Sequence, residues 1–549
     1  MFTASTALLL CLAPPQGGLL GVNEGALLAQ DAAAWDLAGE ALALDGETAV
    51  IGVRWQDSGG SDAGAVYVHT HSGSSWTQNQ KLIATDGAPA DEFGYSVAID
   101  AGTIAVGAPT VDIASQNEGA VYIFSESAGL WSTQAKLTAS DLFDEDRFGS
   151  SVAISGDTLL VGAMADDDLG NYSGSVYVFT RVGGVWTERA KLLASDGSAN
   201  SYFGQALALD AGTAVVGAPG PAGGAYVFVG SAATWVQQAK LTDSAPGATN
   251  RFGEALDIMG DRIAVGAPLN DINGTDSGLV AVFDRTGSSW SQTASLVAGE
   301  MFGELGRAVA LGADRLSAGA PRDQQLGSSP VGALYLFDLK AGIWSQAGSL
   351  VLPSPSALDD FGASTALSGD LLIVGAPGAD SVRTNGGLAN GYFLVPGITS
   401  FCHGDGSGSA CPCTNNSSSE SGCVNSTGVG ALLQVQGSPS ASADLLDFSA
   451  SGLLPNQPAL LFAGHNPVAG GAGSSFGDGL RCAGGSVIRV GVRVPNAAGN
   501  ASWSTGVLVT LAVVTGDTRR FQVWYRDPVG GPCGSAFNLT QGVEVSFTP

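Results

Sequence analysis

Short apolar runs separated by glycine-rich polar turns recur along residues 25–396. The copy from Phe93 to Phe124 has an aromatic-glycine pair, an alternating strand, a tight turn and an apolar strand that ends in Gly-Ala-Pro. After a polar loop, a third strand alternates β-branched and aromatic residues, and we expect its tyrosine, here Tyr122, to pack in the core. A period of two with Gly or Pro at the boundaries is typical of β-strands. The pattern therefore predicts an array of all-β repeats.

Two glycines set the spacing of this repeat. One follows an aromatic residue or its equivalent, and the second closes the next strand 13 residues later. The seven pairs are Gly39 and Gly52, Gly94 and Gly107, Gly149 and Gly162, Gly204 and Gly217, Gly253 and Gly266, Gly306 and Gly319, and Gly362 and Gly375. In the sixth copy Leu305 takes the aromatic position, and Phe302-Gly303 resembles a displaced copy. Constant spacing predicts seven equivalent units.

A fourth strand follows in six of the seven units. It opens with a tryptophan, at Trp76, Trp131, Trp186, Trp235, Trp290 and Trp344. The segment from Gly25 to Asp31 resembles Lys81 to Asp86 and also precedes a repeat-opening glycine. We expect this N-terminal strand to complete the last unit, because closure removes the exposed edges of an open array. The predicted fold is all-β: a seven-bladed β-propeller closed by its N-terminal strand over residues 23–397.

Composition and charge limit the classes of partner that the chain can bind. The chain has 50 acidic and 22 basic residues, a net charge of −28, and 80 glycines. Phosphate backbones would be repelled, so we expect no nucleic-acid partner. We interpret the acidity as solubility of an extracellular protein, with cation binding as the alternative.

The cysteines and the N-terminus predict export. An apolar run from Ala7 to Ala13 has the length of a signal-peptide core, although no basic segment precedes it, so residues 1–22 are predicted to be a signal peptide. Later stretches are too short to span a membrane. Six of the seven cysteines lie beyond residue 400: Cys402, Cys411, Cys413, Cys423, Cys482 and Cys533. An even, clustered set predicts disulfides, and a secreted or cell-surface location.

The repeat resembles the FG-GAP family, known from the integrin α head and from bacterial surface proteins. The likeness covers about residues 25–396 and rests on Phe93-Gly94 and its equivalents, with Gly107-Ala108-Pro109 and its equivalents. It implies a seven-bladed propeller with acidic calcium cages between the first and second strands of several blades. Here that connection, Ile99 to Ile104, has room only for a tight turn. Calcium needs about six to eight oxygen ligands, so we expect no such cage in any blade.

The loops between second and third strands are the candidate binding elements. They are long in six units and short in the fourth, Gly220 to Gly224, and should emerge beside the connections between units. Variable loops on a rigid scaffold are typical of binding surfaces. Acidic clusters fall at the same end: Asp91-Glu92, Asp144 to Asp146, Asp166 to Asp168 and Asp359-Asp360. Asp271, Asn273 and Asp276 are weak metal-ligand candidates, with a solvated turn as the alternative.

The chain changes character after Gly397. Residues 398–428 form a Cys/Gly/Ser-rich linker, in which Cys402, Cys411, Cys413 and Cys423 with His403 could ligate zinc instead of forming disulfides. Six cysteines allow 15 disulfide connectivities. Residues 429–549 predict a small β-sandwich. Its expected strands are Ala431–Val435, Ala459–Phe462, Val487–Val494, Val507–Val514, Phe521–Tyr525 and Val543–Phe547.

This tail also resembles an uncharacterised cysteine-containing module of secreted bacterial proteins. The likeness rests on Gly404 to Gly406, Cys411 to Cys413 and Gly542 to Val545. It implies no activity.

Sequence motifs for catalysis are missing. We find no nucleophile elbow, P-loop, zinc-protease helix motif or dinucleotide fingerprint. His69 stands where other units have phenylalanine, which indicates a structural role, and His71 two residues on has no evident further metal ligand. Our leading hypothesis is a non-catalytic binding or adhesion scaffold for a protein or glycan ligand, without a cofactor. The alternatives are a carbohydrate-active enzyme with a site in the propeller funnel and a structural surface spacer.

Overall fold

The structure is a computed structural model. It describes residues 20–31, 33–73, 75–141, 143–243, 250–298, 301–324, 329–340, 342–352, 355–380, 384–395, 398–402, 409–417, 421–436, 446–503, 507, 511–514, 517–528 and 532–547. His403 lies outside these ranges, and so does the predicted signal peptide except for residues 20–22. The described chain divides into a first unit over residues 23–392 and a second over residues 20–22 and 393–549. No helix among the described residues is both long and apolar enough to cross a membrane.

In the part of the chain that the structure describes, the first unit contains seven four-stranded sheets. The N-terminal strand is β1 (Leu20–Leu27). Sheet 1 has β2 (Ala41–Asp45), β3 (Thr48–Val53), β4 (Ala65–Ser72) and β5 (Ser75–Leu82). Sheet 2 has β6 (Ser96–Asp100), β7 (Thr103–Ala108), β8 (Ala120–Ser127) and β9 (Leu130–Leu137). Sheet 3 has β10 (Phe148–Ser155), β11 (Thr158–Ala163), β12 (Ser175–Val182) and β13 (Val185–Leu192).

The remaining sheets follow the same order. Sheet 4 has β14 (Leu207–Asp210), β15 (Thr213–Ala218), β16 (Gly224–Ser231) and β17 (Thr234–Leu241). Sheet 5 has β18 (Leu256–Met259), β19 (Arg262–Ala267), β20 (Leu279–Thr286) and β21 (Ser289–Leu296). Sheet 6 has β22 (Ala308–Leu311), β23 (Arg315–Ala320), β24 (Ala333–Lys340) and β25 (Ile343–Leu350). Sheet 7 has β26 (Ser364–Ser368), β27 (Leu371–Ala376) and β28 (Leu388–Val395), and its fourth strand is β1.

The first two strands of a sheet are joined by a tight hairpin. In sheet 2, Asp100 pairs with Thr103 across the turn, and in sheet 1 Asp45 pairs with Thr48 in the same way. Both turns are tight hairpins, as the sequence predicted. The loop between the second and third strands is longer and lies at the other end of the sheet.

The glycines at these positions have a structural reason. The glycine that closes each second strand packs against the backbone of the glycine that opens the next unit, and a Cβ there would overlap the neighbour's carbonyl oxygen. The contacts are Gly52 on Gly94, Gly107 on Gly149, Gly162 on Gly204, Gly217 on Gly253, Gly266 on Gly306, Gly319 on Gly362 and Gly375 on Gly39. Only glycine allows this approach. The last contact joins sheet 7 to sheet 1.

Serine hydroxyls repeat the same relation. Ser96 of sheet 2 donates to the carbonyl of Gly149 at 2.8 Å, and Ser151 of sheet 3 donates to that of Gly204. Ser364 of sheet 7 donates to the carbonyl of Gly39 at 2.6 Å. Sheet 7 therefore meets sheet 1 through the bond that joins consecutive sheets elsewhere.

The core of this unit lies between neighbouring sheets. Phe148, at the start of sheet 3, packs edge-on against Tyr177 with ring centroids 5.4 Å apart. Its cluster also holds Val121 and Ile123 of sheet 2. In the sixth unit Leu305 is fully buried and Phe302 is exposed, so Leu305 fills the aromatic position, as its register predicted.

The second unit is also β-rich. Its strands are β29 (Ile398–Phe401), β30 (Leu432–Gln436), β31 (Asp447–Ser451), β32 (Ala459–Gly464), β33 (Asn466–Pro467), β34 (Ser474–Phe476), β35 (Gly479–Arg481), β36 (Ala483–Gly484), β37 (Ile488–Arg493), β38 (Ala501–Trp503), β39 (Thr518–Arg526), β40 (Phe537–Leu539) and β41 (Gly542–Ser546). Two short 3₁₀ turns span Pro412–Thr414 and Val468–Gly471. A sheet in the order β29-β41-β39-β32-β37, with β40 beside β39, shares one apolar cluster with the sheet β30-β31-β38.

One predicted strand of this unit is wrong. Within Val507–Val514, the described residues Val507 and Leu511 are helical, and both are buried in the shared cluster. Residues four apart lie on one face of a helix, so the apolar run fits a helical turn as well as a strand. A short apolar run does not distinguish the two.

All six cysteines beyond residue 400 form disulfides. The pairs are Cys402–Cys482, Cys411–Cys423 and Cys413–Cys533. This resolves the 15 connectivities that the sequence left open. It also removes these thiols as zinc ligands, because a disulfide sulfur carries no thiolate charge.

Candidate binding face

Two ends of the first unit can be distinguished. We call the loop end the surface formed by the loops between second and third strands together with the connections between sheets. The opposite surface, formed by the hairpins, is the turn end. At the loop end, described connections bond to the loop of the preceding sheet through their backbones, for example Ala90 N to Ser61 O at 2.8 Å and Glu145 N to Gln116 O at 2.8 Å. Loops and connections thus form one continuous surface.

Five of the loops share one cap. An aspartate accepts a hydrogen bond from the backbone N–H five residues later, and that residue has a left-handed backbone. The pairs are Asp57 with Asp62, Asp112 with Asn117, Asp167 with Tyr172, Asp271 with Asp276 and Asp380 with Asn385. Side-chain caps of this kind fix a turn. The described residues of the loops of sheets 1, 2, 3, 5 and 7 therefore share one capping contact.

This shared cap explains the spacing of the metal-ligand candidates. Asp271 Oδ1 accepts from the N–H of Asp276 at 2.9 Å, and Asn273 donates its backbone N–H to Ser277. Asp271 and Asn273 are exposed. Among the described residues, no three His, Cys, Asp or Glu side chains are grouped as metal ligands. A metal at Asp271, Asn273 and Asp276 stays a prediction.

A clasp of aspartate, lysine and tyrosine recurs at the loop end. Asp86, in the connection after sheet 1, accepts from the hydroxyl of Tyr122 at 2.9 Å and from Lys136 at 2.7 Å. Burial raises the pKa of Asp86, but these two bonds outweigh it and hold the pKa below its ordinary value. The equivalents are Asp31 with Tyr67 and Lys81, Asp141 with Tyr177 and Lys191, and Asp196 with Tyr226 and Lys240.

Sequence reasoning missed these clasps. It assigned the tyrosines to core packing only. The available signal was a constant separation: the aspartate precedes the tyrosine by 36 residues and the lysine by 50 in sheets 1, 2 and 3. Each clasp ties a connection to the sheet that follows it, so it holds the loop end rigid.

The clasp of sheet 3 gathers further carboxylates. Lys191 Nζ lies 2.9 Å from Asp141, 2.8 Å from Asp166 and 2.7 Å from Asp168. Asp146 beside them is 5% exposed and accepts a bond from the N–H of Phe143. Burial, together with the charge of Asp166, raises the pKa of Asp146 to about 7. This carboxyl therefore carries a proton in the folded state at mildly acidic pH.

We expect Asp146→Asn to stabilise the protein at pH 8 but not at pH 4. A carboxyl whose folded pKa is raised from 3.8 to about 7 contributes stability below its unfolded pKa and loses it as pH rises through 7. At about 1.4 kcal/mol for each pKa unit, the gain at pH 8 is about 2–4 kcal/mol. The amide keeps the bond from Phe143 and can donate to Asp166.

Thermal unfolding at both pH values measures this gain. Glu145→Gln, at the neighbouring half-buried position, is the control and should change stability little at either pH. An Asp146→Asn gain that is the same at pH 4 and pH 8 would contradict the assignment.

Exposed aromatic residues of the first unit are confined to the loop end. Among its described residues, the large aromatic side chains with more than a third of their surface exposed are Trp35, Phe143, Tyr172 and Phe302. All four lie in connections or second-to-third-strand loops. Exposed aliphatic residues such as Leu130 and Ile343 occur at the turn end. Aromatic side chains are enriched in binding surfaces, which distinguishes the loop end.

The two histidines of sheet 1, His69 and His71, lie against the N-terminal strand and the residue that follows it. His71 Nε2 is 2.7 Å from Glu24 of β1, and the two side chains are 6% and 3% exposed. His69 is buried, with Nε2 3.3 Å from the carbonyl of Leu28, and burial lowers its pKa to about 4. Both residues therefore join sheet 1 to the segment that completes sheet 7.

Comparison with known proteins identifies the repeat. FG-GAP repeats match residues 22–69, 76–124, 131–179, 186–228, 235–283 and 344–391, more than half of the chain. The first match begins in β1 and ends in β4, just as the second begins in β5 and ends in β8. The segment β1 thus takes the place of a fourth strand in the repeat.

Other comparisons add little. No curated protein matches the chain. A crystal structure of Saccharomyces cerevisiae Sqt1 is similar at 11% identity, over 69% of this chain and 99% of that chain, with a TM-score of 0.39. That similarity is too low to transfer a fold or a function. On the recurring match to more than half of its length, the chain belongs to the FG-GAP repeat family.

Proposed function

We propose that this protein is an exported, non-catalytic binding or adhesion scaffold that contacts a protein or glycan ligand with its loop end. The observation that carries the proposal is the confinement of the four exposed aromatic residues to that end. Aromatic side chains provide large contact areas at low entropic cost, for polypeptides and for sugars alike. The shared loop caps and the clasps supply the rigidity that a binding surface needs.

The proposal includes a closed architecture. We infer a seven-bladed propeller whose ring closes through β1, followed by a β-sandwich. Closure is supported by the contacts of Gly375 and Ser364 with Gly39, which repeat the contacts between consecutive sheets. The shared apolar cluster of the two larger sheets in the second unit supports the sandwich.

Export is supported by the three disulfides. Disulfides persist in oxidising compartments and are rare in the reducing cytosol. A secreted or cell-surface location follows as part of the proposal.

The enzyme alternative has weaker support. In a closed ring the first strands line the central funnel, where two carboxylates would act on a sugar. Among the described first strands, Asp45, Asp100 and Asp210 lie at strand ends and accept bonds from the next hairpin, which leaves Asp257 inside its strand. Asp257 itself accepts backbone bonds from Ile258 and Leu311. This set favours a scaffold over a glycosidase.

An array of glycans and extracellular polypeptides tests the proposal. The full chain should bind at least one member, and Phe143→Asn with Tyr172→Asn should weaken that binding by about tenfold. The matched turn-end variant Leu130→Asn with Ile343→Asn should leave it unchanged. Polysaccharide turnover that disappears in Asp257→Asn would establish the enzyme instead, and loss of binding only in the turn-end variant would refute the loop end.

A further inference from the structure

Three bulky apolar residues occupy one unusual backbone position. Trp35, Phe302 and Leu358 each stand three residues before the aromatic position of their unit, with φ of 73°, 64° and 68°. Their side chains are 57%, 50% and 55% exposed. The equivalents in sheets 2, 3 and 4 have the same left-handed backbone but are Ala90, Glu145 and Asn200.

Folding does not explain this choice of residue. A left-handed backbone is unfavourable for every residue except glycine, and a bulky side chain there is a true outlier, whereas asparagine tolerates it. An exposed tryptophan, phenylalanine or leucine gains little from burial and lowers solubility. The apolar identity of these residues therefore indicates contact with something outside the chain.

The three residues lie on consecutive sheets. Their connections lead into sheets 6, 7 and 1, which are neighbours through the contacts of Gly319 with Gly362 and Gly375 with Gly39. Each donates its backbone N–H to a backbone carbonyl in the loop of the preceding sheet. Phe302 bonds to Thr275, Leu358 to Pro330 and Trp35 to Thr384. Ile272 and Met301 beside Phe302 are also half exposed. We call Ile272, Met301, Phe302, Leu358 and Trp35 the apolar arc.

The charge around the arc is negative. Residues 1–392 carry 42 acidic and 16 basic side chains. Among the described residues, Arg322 pairs with Asp360 at 3.0 Å and Arg307 pairs with Glu254 at 3.4 Å. Asp271 and Asp380 in the adjoining loops are exposed. A partner would meet apolar side chains flanked by carboxylates, which attract positive charge.

We propose that the apolar arc docks a cationic polypeptide segment that carries aliphatic or aromatic side chains. The proposal rests on the proposed function, binding at the loop end, and names the partner class and the sheets involved. A polypeptide fits better than a glycan because Ile272, Met301 and Leu358 have neither a flat ring for sugar stacking nor a hydrogen-bonding group. The carboxylates select lysine or arginine on the partner.

Fluorescence anisotropy with the full chain tests this docking. The probes are labelled peptides of about 20 residues: one alternates Lys with Leu and Phe, one replaces Leu and Phe by Ser, and one replaces Lys by Glu. The Lys/Leu/Phe peptide should bind at least about tenfold more tightly than the other two. Its binding should weaken by about tenfold or more in the triple variant Trp35→Asn, Phe302→Asn and Leu358→Asn.

The same triple variant should melt at an equal or higher temperature than wild type, because asparagine tolerates the left-handed backbone. Loss of binding with gain of stability separates a docking role from a structural role. The control triple variant Leu130→Asn, Val185→Asn and Ile343→Asn, at the turn end, should bind as wild type does.

Three results would contradict the proposal that the apolar arc docks a cationic polypeptide. They are unchanged peptide binding in the arc variant, equal binding of the Lys/Ser peptide, and a clearly lowered melting temperature of the arc variant. If the ligand found by the array needs Phe143 and Tyr172 but not the arc, the proposed function stands and the arc fails. If the ligand needs neither set, both fail.

Discussion

Gly375→Ala should destabilise the first unit by about 3 kcal/mol, at the upper end of the cost of overpacking. The new Cβ would overlap the backbone carbonyl oxygen of Gly39 as well as the hydroxyl of Ser364, and the Gly39 backbone cannot rotate away as a side chain can. The same change at Gly107, between sheets 2 and 3, should cost about as much, because its Cβ would meet the carbonyl of Gly149 in the same way.

Denaturant unfolding of these variants tests ring closure. Gly369→Ala is the matched control: its φ is +59° but no atom lies within 4 Å of the added Cβ, so strain alone should cost about 1 kcal/mol. In an open array the contact of Gly375 with Gly39 would not form. Gly375→Ala would then be nearly neutral while Gly107→Ala remained costly, and that result would refute closure.

Glu24→Ala should cost about 3 kcal/mol, the upper end of the loss when a buried polar group is left without its partner. His71 would keep its buried position without the carboxylate 2.7 Å away, and the change would leave a small cavity. Burial raises the pKa of Glu24, while His71 acts in the opposite direction, so the pair tolerates burial only as a pair. Because Glu24 lies on β1, the lost stability would fall on the strand that completes sheet 7.

A double variant distinguishes loss of the contact between Glu24 and His71 from a general intolerance of substitution at Glu24. Glu24→Leu with His71→Leu should recover most of the lost stability, because apolar residues often replace a buried pair at little cost. Glu47→Ala, an exposed carboxylate in the first hairpin, is the control and should change stability by less than about 0.5 kcal/mol. Equal losses in the single and double variants would mean that Glu24 and His71 do not interact.

The repeating sheets could be predicted because their cause is local. The glycine pair at fixed spacing can be read directly from the sequence, and its glycines form the close backbone contacts between neighbouring sheets. The same spacing places Leu305 at the buried aromatic position of the sixth unit. The β1 strand could be predicted for the same reason, by its likeness to Lys81 to Asp86.

The features that the sequence did not reveal are contacts between residues far apart in the chain and an apolar run whose secondary structure is ambiguous. The clasp of Asp86 with Tyr122 and Lys136 joins residues 36 and 50 apart, and a core role for the tyrosines accounted for them equally well. Val507–Val514 is an apolar run too short to distinguish helix from strand. Disulfide connectivity depends on tertiary proximity, as Cys413 and Cys533 show across 120 residues.

The candidate site was predicted only in outline. The sequence placed variable loops at one end, and it interpreted Asp271, Asn273 and Asp276 as weak metal ligands. In the structure, Asp271 is one of five aspartates that cap their loops in the same way. This shared role depends on a hydrogen bond to the backbone N–H five residues later, which the sequence does not show. The exposed, left-handed Trp35 and Phe302 gave no sequence signal, because exposure and φ are properties of the fold.

Backbone amide hydrogen exchange, with and without a ligand identified by the array, tests the central claim most directly. If the loop end is the binding surface, protection should appear in the capped loops, such as residues 112–119 and 271–278, and in the connections beside them. The hairpins at residues 100–103 and 127–130 should exchange unchanged. Protection confined to these hairpins, or to the second unit, would contradict the account.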